Sequence, residues 1–138
     1  MKFANYSVDF GLLILRVGIG GMFLLHGYPK LVGGAEKWES LAQYGLPFLP
    51  DGNICIVFGL AAALSEFFGG LLLILGGYHR IACGALVITM AVAFNAKLGA
   101  VSTMSSFAKD AGWPLELLIV SVALFFAGPG RYKLGATN

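Results

Sequence analysis

The chain of 138 residues has the length of a single domain but the composition of a membrane protein. Hydrophobic residues make up 58% of it and charged residues 12%, against about 25% charged in an ordinary soluble domain. A soluble domain of this size could not bury so much apolar surface, so lipid must cover part of it. The net charge of +2 is too small to indicate a nucleic-acid partner.

The sequence encodes no metal site and no cofactor motif. Its two cysteines, Cys55 and Cys83, form no CxxC pair and no cluster with histidine, which excludes a dithiol centre and a zinc site. Haem-ligand pairs, flavin fingerprints and iron–sulfur cysteines are also missing from the pattern. We expect the two cysteines near opposite membrane faces, too far apart for an intrachain disulfide.

Four apolar segments approach the length of about 20 residues that a helix needs to cross a bilayer. The predicted crossings are residues 8–26, 53–76, 81–101 and 113–128. Only four residues, 77–80, separate the second from the third, and so short a turn forces an antiparallel hairpin. The expected fold is therefore an all-α, four-helix membrane bundle that forms one domain over residues 1–138.

The first and third connections differ in character. Residues 35–44 space apolar side chains at three and four residues, which predicts a short helix lying in the membrane interface. Residues 102–112 are polar and predict a short loop. Four crossings place both termini on one side, and discounting Lys30 and Lys97, which sit close to helix ends, favours the cytoplasm for both.

An ionisable side chain inside a bilayer costs about 3 kcal/mol, so each one needs a partner or a purpose. Counted from the loop-side ends of their helices, Arg16 and Glu66 lie at similar depths. A planar guanidinium suits a carboxylate, so the sequence predicts that these two residues pair.

A second polar layer is predicted nearer the loop side, roofed by Trp38, Tyr44 and Phe48 of the interfacial segment. Together the two layers define an apolar pocket with a few converging polar groups, the usual character of a small-ligand site. The predicted ligand-binding residues are Arg16, His26, Lys30, Glu66, Asn95, Lys97 and Glu116. No catalytic residue is assigned among them.

Structural roles remain open for the same residues. Arg16 with Glu66 can lock a bundle without chemistry, and His26 can be simply solvated. Lys30 and Lys97 can extend to the lipid headgroups. Glu116 in a first helical turn suits the positive end of a helix dipole.

Three stretches resemble the DoxX family. Residues 15–33, LRVGIGGMFLLHGYPKLVG, resemble its first helix, and residues 65–82, SEFFGGLLLILGGYHRIA, resemble its second. Residues 128–134, GPGRYKL, resemble its GPGRYSL ending. Two departures stand out: His79 replaces a frequent threonine, and Asn95 and Lys97 occupy the region where the family often has a histidine.

The resemblance implies a multi-pass bacterial inner-membrane protein. The family takes its name from a subunit associated with thiosulfate:quinone oxidoreductase, and relatives are linked to membrane redox complexes. One hypothesis is therefore a redox-associated subunit, or a quinone-linked oxidoreductase subunit, that binds a quinone or similar amphipathic molecule. It would work with a redox protein partner or as a homo-oligomer. The alternative is a non-enzymatic membrane assembly or binding subunit whose buried charges are structural.

Overall fold

The computed structural model describes the backbone of residues 2–134 and the side chains of residues 6–134, and it contains no strand within that range. The helices are α1 (Lys2–Leu31), α2 (Gly34–Gly45), α3 (Asn53–Leu75), α4 (His79–Leu98), α5 (Met104–Ser106) and α6 (Gly112–Ala127), with a π-helical turn at Phe107–Ala111 between the last two. Four segments are long and apolar enough to cross a membrane: Tyr6–Leu31, Asn53–Leu75, His79–Leu98 and Met104–Ala127. The predicted all-α, four-crossing bundle is confirmed.

The bundle is ordered so that α1 packs on α3, α3 on α4 and α4 on α6, with little contact between α1 and α6. Its interior is built from Phe23, Leu73, Cys83, Leu86, Met90, Leu117 and Leu124. Large apolar side chains also cover the outside, including Leu25, Ile88 and Phe126. Such a surface suits lipid rather than water.

Glycines set the close approach of α1 to α3. A Cβ atom on Gly20 would lie 2.6 Å from the carbonyl oxygen of Gly70, and one on Gly27 would lie 2.6 Å from the backbone nitrogen of Phe67. Small residues allow such contact where no hydrophobic effect drives helices together. These contacts also fix the register: Gly20 lies beside Gly70, and Gly27 beside Phe67.

Helix α2 lies along the first turns of α3. A Cβ atom on Gly59 would collide with the backbone of Trp38, so only glycine fits there. The indole Nε1 of Trp38 donates to the carbonyl of Lys30 (2.9 Å), and Glu39 accepts from the backbone N–H of Gly52 (2.7 Å). The predicted helix is confirmed; its placement in the membrane interface stays a prediction.

The bounds of the first and third crossing helices differ from the predicted ones. Helix α1 continues beyond residue 26 to Leu31 with Pro29 inside its last turn, where the missing N–H of a proline costs one helical hydrogen bond. Helix α4 begins at His79 rather than 81 and ends at Leu98 rather than 101. The turn before it is tight, with Gly76 and Tyr78 in the left-handed region (φ 76° and 46°).

The third connection is helical where a loop was predicted. Thr103 caps α5 through its side chain, which accepts from the backbone N–H of Ser106. The π-helical turn follows, with Gly112 N–H bonded to Phe107 five residues back. Pro114 explains it, because a proline ring clashes with the carbonyl four residues earlier and a π turn relieves that clash. The turn leads directly into Trp113.

Candidate functional site

Arg16 is buried toward the end of the bundle where α3 and α6 end, and backbone carbonyls surround it. Its guanidinium donates to Leu73 (2.9 Å) and Ile74 (3.0 Å) at the end of α3, and to Pro129 and Tyr132 (2.8 Å) in the segment after α6. Only 1% of the residue is exposed. These four acceptors tie α1, α3 and the terminal segment together.

The predicted pairing of Arg16 with Glu66 is wrong because α1 and α3 are offset along their axes. Glu66 lies level with Gly27, whose Cβ position touches it, and not with Arg16. The separation is about ten residues of helix, or about 15 Å at 1.5 Å per residue. The prediction assumed that both helices end at one level, whereas the first turns of α3 extend beyond α1 and pack on α2.

The partner of Glu66 is Lys30. The ammonium Nζ lies 2.6 Å from both carboxylate oxygens, a bidentate ion pair between α1 and α3. The Glu66 side chain is 2% exposed and that of Lys30 is 22% exposed. The carboxylate is therefore buried, while the ammonium reaches the edge of a cavity. Within residues 6–134 this is the one ion pair.

This ion pair borders a cavity of about 320 Å³, here called the chamber. Helices α1, α2, α3, α4 and α6 all contribute to its wall. The lining residues are His26, Lys30, Leu41, Tyr44, Gly45, Ala62, Glu66, Thr89, Val92, Ala93, Lys97 and Trp113. Four of the seven predicted site residues therefore meet here: His26, Lys30, Glu66 and Lys97.

Aromatic rings hold Lys97 inside the chamber. Its Nζ lies 5.8 Å from the ring centre of Tyr44 and 5.9 Å from that of Trp113, within the range of cation–π attraction. Trp113 also stacks on His26, with ring centres 5.2 Å apart and planes 13° apart. Lys30, Glu66 and Lys97 sum to one positive charge (+1 −1 +1) when His26 is neutral, so the chamber favours an electron-rich or anionic group.

The other three predicted residues lie outside the chamber. Arg16 is at the opposite end of the bundle, and Asn95 and Glu116 are exposed on the outer faces of α4 and α6. A helix places residues that are two positions apart on different faces, which is why Lys97 points inward and Asn95 does not. Glu116 lies one turn beyond Trp113, so the sequence placed it at the correct level, but its side chain is exposed outside the chamber.

Sequence reasoning missed Trp113 as a site residue. The π turn and Pro114 orient this ring, and neither effect is readable from hydrophobic spacing. Of the three predicted roof residues, Tyr44 lines the chamber, Trp38 instead bonds the end of α1, and Phe48 is 79% exposed. No group of metal-ligating side chains occurs within the described residues.

The architecture defines a multi-pass helical membrane protein with a polar chamber near the loop end of the bundle. A family model described as DoxX matches residues 11–99, well over half of the chain. The protein belongs to the DoxX family. No protein of curated function and no solved structure matches it.

Proposed function

We propose that the protein is a redox-associated subunit of the bacterial inner membrane that binds a quinone or a similar small amphipathic molecule in the chamber. The observation that carries this is Lys97, a cation without a carboxylate partner among residues 6–134, held between two aromatic rings beside the Lys30–Glu66 pair. Membership of the DoxX family, which is named after a subunit associated with thiosulfate:quinone oxidoreductase, favours a quinone-linked role. No electron carrier is encoded, so electrons come from a redox protein partner or a bound reductant.

Each group in the chamber has a defined role in this proposal. The Lys97 ammonium polarises a quinone carbonyl, which lowers the cost of adding negative charge to that oxygen. The Lys30–Glu66 pair supplies a proton to the quinone oxygen on reduction and takes one back when the quinol is oxidised. Trp113, stacked on His26, offers a flat face to a flat ring. Both termini are proposed to lie in the cytoplasm.

The two tryptophans of the chain provide a direct test, because Trp113 lines the chamber and Trp38 does not. Quinones quench indole fluorescence on contact. In Trp38→Phe, a decyl-chain benzoquinone titrated into nanodiscs should quench the remaining Trp113 with saturation. In Trp113→Phe, the same titration should cause only a weak, non-saturating loss of Trp38 fluorescence. Equal, linear quenching in both variants would show that the quinone merely dissolves in the lipid.

A second function, a non-enzymatic assembly or binding subunit, is supported by Asn95 and Glu116. Both are polar side chains on the outer surface of membrane-crossing helices. Polar groups facing lipid are costly, and a partner protein that covers them removes that cost. If this function is correct, Glu116→Gln should weaken cross-linking to a partner membrane protein. Quinone titrations of the Trp38→Phe protein should then show no saturable quenching of Trp113.

A further inference from the structure

We propose that a groove between α2, α3 and α4 is the lateral entrance to the chamber and holds the hydrocarbon chain of its ligand. The proposal rests on the proposed binding function and specifies the ligand class: a ring or other electron-rich head carrying an isoprenoid or alkyl chain. The chain lies in the groove while the head lies against Lys97. The occupant is thus part of the same molecule, not a separate lipid or protein.

The groove has a volume of about 330 Å³ and an almost wholly apolar wall. Small residues make the space: Ala42, Gly45, Gly59, Ala61, Ala62 and Ala85 all line it. Its two polar side chains, Ser65 and Thr89, are satisfied within the wall, since their hydroxyl oxygens lie 3.0 Å apart and Thr89 donates to the Ala85 carbonyl (3.0 Å). A groove with no free donor suits a hydrocarbon chain better than a polar ligand.

The groove and the chamber adjoin each other. Five residues line both cavities: Leu41, Gly45, Ala62, Thr89 and Val92. One molecule can therefore occupy both, with its charge-accepting end near Lys97 and its chain beyond Thr89. A molecule with a polar ring at one end and a hydrocarbon chain at the other has the same arrangement of polar and apolar parts.

The groove reaches the outer surface of the bundle. Ile88 lies at the middle of α4 and is 68% exposed, and Phe58 on α3 is 49% exposed. A helix of this length spans the bilayer core, so its middle lies near the membrane midplane. Hydrocarbon chains are concentrated at that depth, so a chain-bearing ligand can enter sideways without crossing water.

The test narrows the groove and compares two quinones in the Trp38→Phe background. Ala85→Leu places extra carbons in the groove without touching the chamber, and Ala91→Leu on the exposed side of the same helix is the matched control. Binding is measured in nanodiscs by Trp113 quenching, with each quinone expressed as a mole fraction of lipid. The probes are dimethoxy-methyl-benzoquinone without a chain and its decyl-chain homologue.

We expect the unsubstituted groove to bind the decyl homologue about tenfold more tightly than the chainless ring, the effect of burying a few methylene groups. Ala85→Leu should remove that preference and leave the affinity for the chainless ring unchanged, whereas Ala91→Leu should keep the preference. If Ala85→Leu does not fold, Ala61→Leu fills the same groove from the exposed side of α3.

Three outcomes overturn the groove proposal while the proposed function stands. Equal affinity for both quinones, or an unchanged preference in Ala85→Leu, would mean that a lipid chain occupies the groove or that nothing does. A change of oligomeric state in Ala85→Leu without loss of the preference would assign the groove to a second copy of the chain. Absence of saturable quenching by either quinone would instead overturn the proposed function itself.

Discussion

Lys97 is the residue on which ligand binding depends most in this structure. Its ammonium contacts two rings and no carboxylate among residues 6–134, so Lys97→Met should change the free energy of unfolding by about 1 kcal/mol or less. Quinone affinity in the Trp38→Phe protein should nevertheless fall about tenfold, because the group that faces the carbonyl is gone. Lys97→Arg should retain most of the binding.

Glu116→Gln is the matched control for Lys97. It also removes one charge at the loop end of the bundle, but from an exposed position outside the chamber. Quinone affinity should stay within about twofold of the parent, a difference of under 1 kcal/mol. Parallel losses in Glu116→Gln and Lys97→Met would indicate long-range electrostatics rather than a contact.

The Lys30–Glu66 pair should show a large, asymmetric coupling energy. Lys30→Met strands a carboxylate that is 2% exposed, which should cost about 3 kcal/mol, whereas Glu66→Met leaves a lysine that can extend to the chamber edge and should cost less. The double variant should recover 1 to 3 kcal/mol, roughly the range for contacting residues, in thermal unfolding in detergent. The matched cycle of Arg16→Met with Glu66→Met should be additive, since those side chains do not meet.

The sequence identified the polar residues inside the bundle more accurately than it predicted the contacts among them. Of the seven residues predicted from membrane cost and from their positions near helix ends, the structure brings His26, Lys30, Glu66 and Lys97 to one chamber. Counting depth from helix ends paired Glu66 with the wrong cation, because the offset of α1 and α3 depends on Gly20, Gly27 and Gly70 contacts that act only in the packed state. Helical spacing likewise could not fix the face of Glu116, since the other residues of α6 are almost all apolar and define no polar face.

At the scale of whole elements, Gly59 determines where α2 can lie. Gly59→Ala would push its methyl group into the backbone of Trp38, so α2 must shift away from α3. We expect a loss of about 2 kcal/mol or more in unfolding free energy, as for other overpacked contacts, together with weaker quinone binding because Tyr44 moves with α2. Far-ultraviolet circular dichroism with thermal unfolding measures the first effect, and Trp113 quenching the second.

Gly18→Ala is the control for Gly59→Ala. Gly18 has open space around its Cβ position and lies inside a helix, where alanine is the better helix former by about 1 kcal/mol. This variant should be as stable as the parent or slightly more stable. A destabilised Gly18→Ala protein would reveal a contact on the outer face of α1, such as a second subunit.

For the whole molecule, an even number of crossings predicts that Lys133 lies on the side of the N-terminus and Lys37, on α2, on the opposite side. With Lys37→Cys in a Cys55→Ala, Cys83→Ala background, an impermeant maleimide should label sealed vesicles from one face only. Lys133→Cys in the same background should be labelled from the other face. Labelling of both positions from one face would contradict the four-crossing arrangement.

The carbonyl cage of Arg16 has a consequence for how the protein is made. Leu73 and Ile74 leave the ribosome long after α1, and Pro129 and Tyr132 emerge only after the whole of α6. A nascent chain therefore carries an arginine that gains two of its four acceptors when α3 is made and the other two only after α6 is made. Removal of the codons after residue 127 should leave α1 poorly inserted and the product open to membrane quality-control proteases, because a guanidinium cannot shed its charge. Pulse-chase half-lives should shorten for that truncation, and Arg16→Leu, which needs no acceptors, should restore insertion of α1 in it.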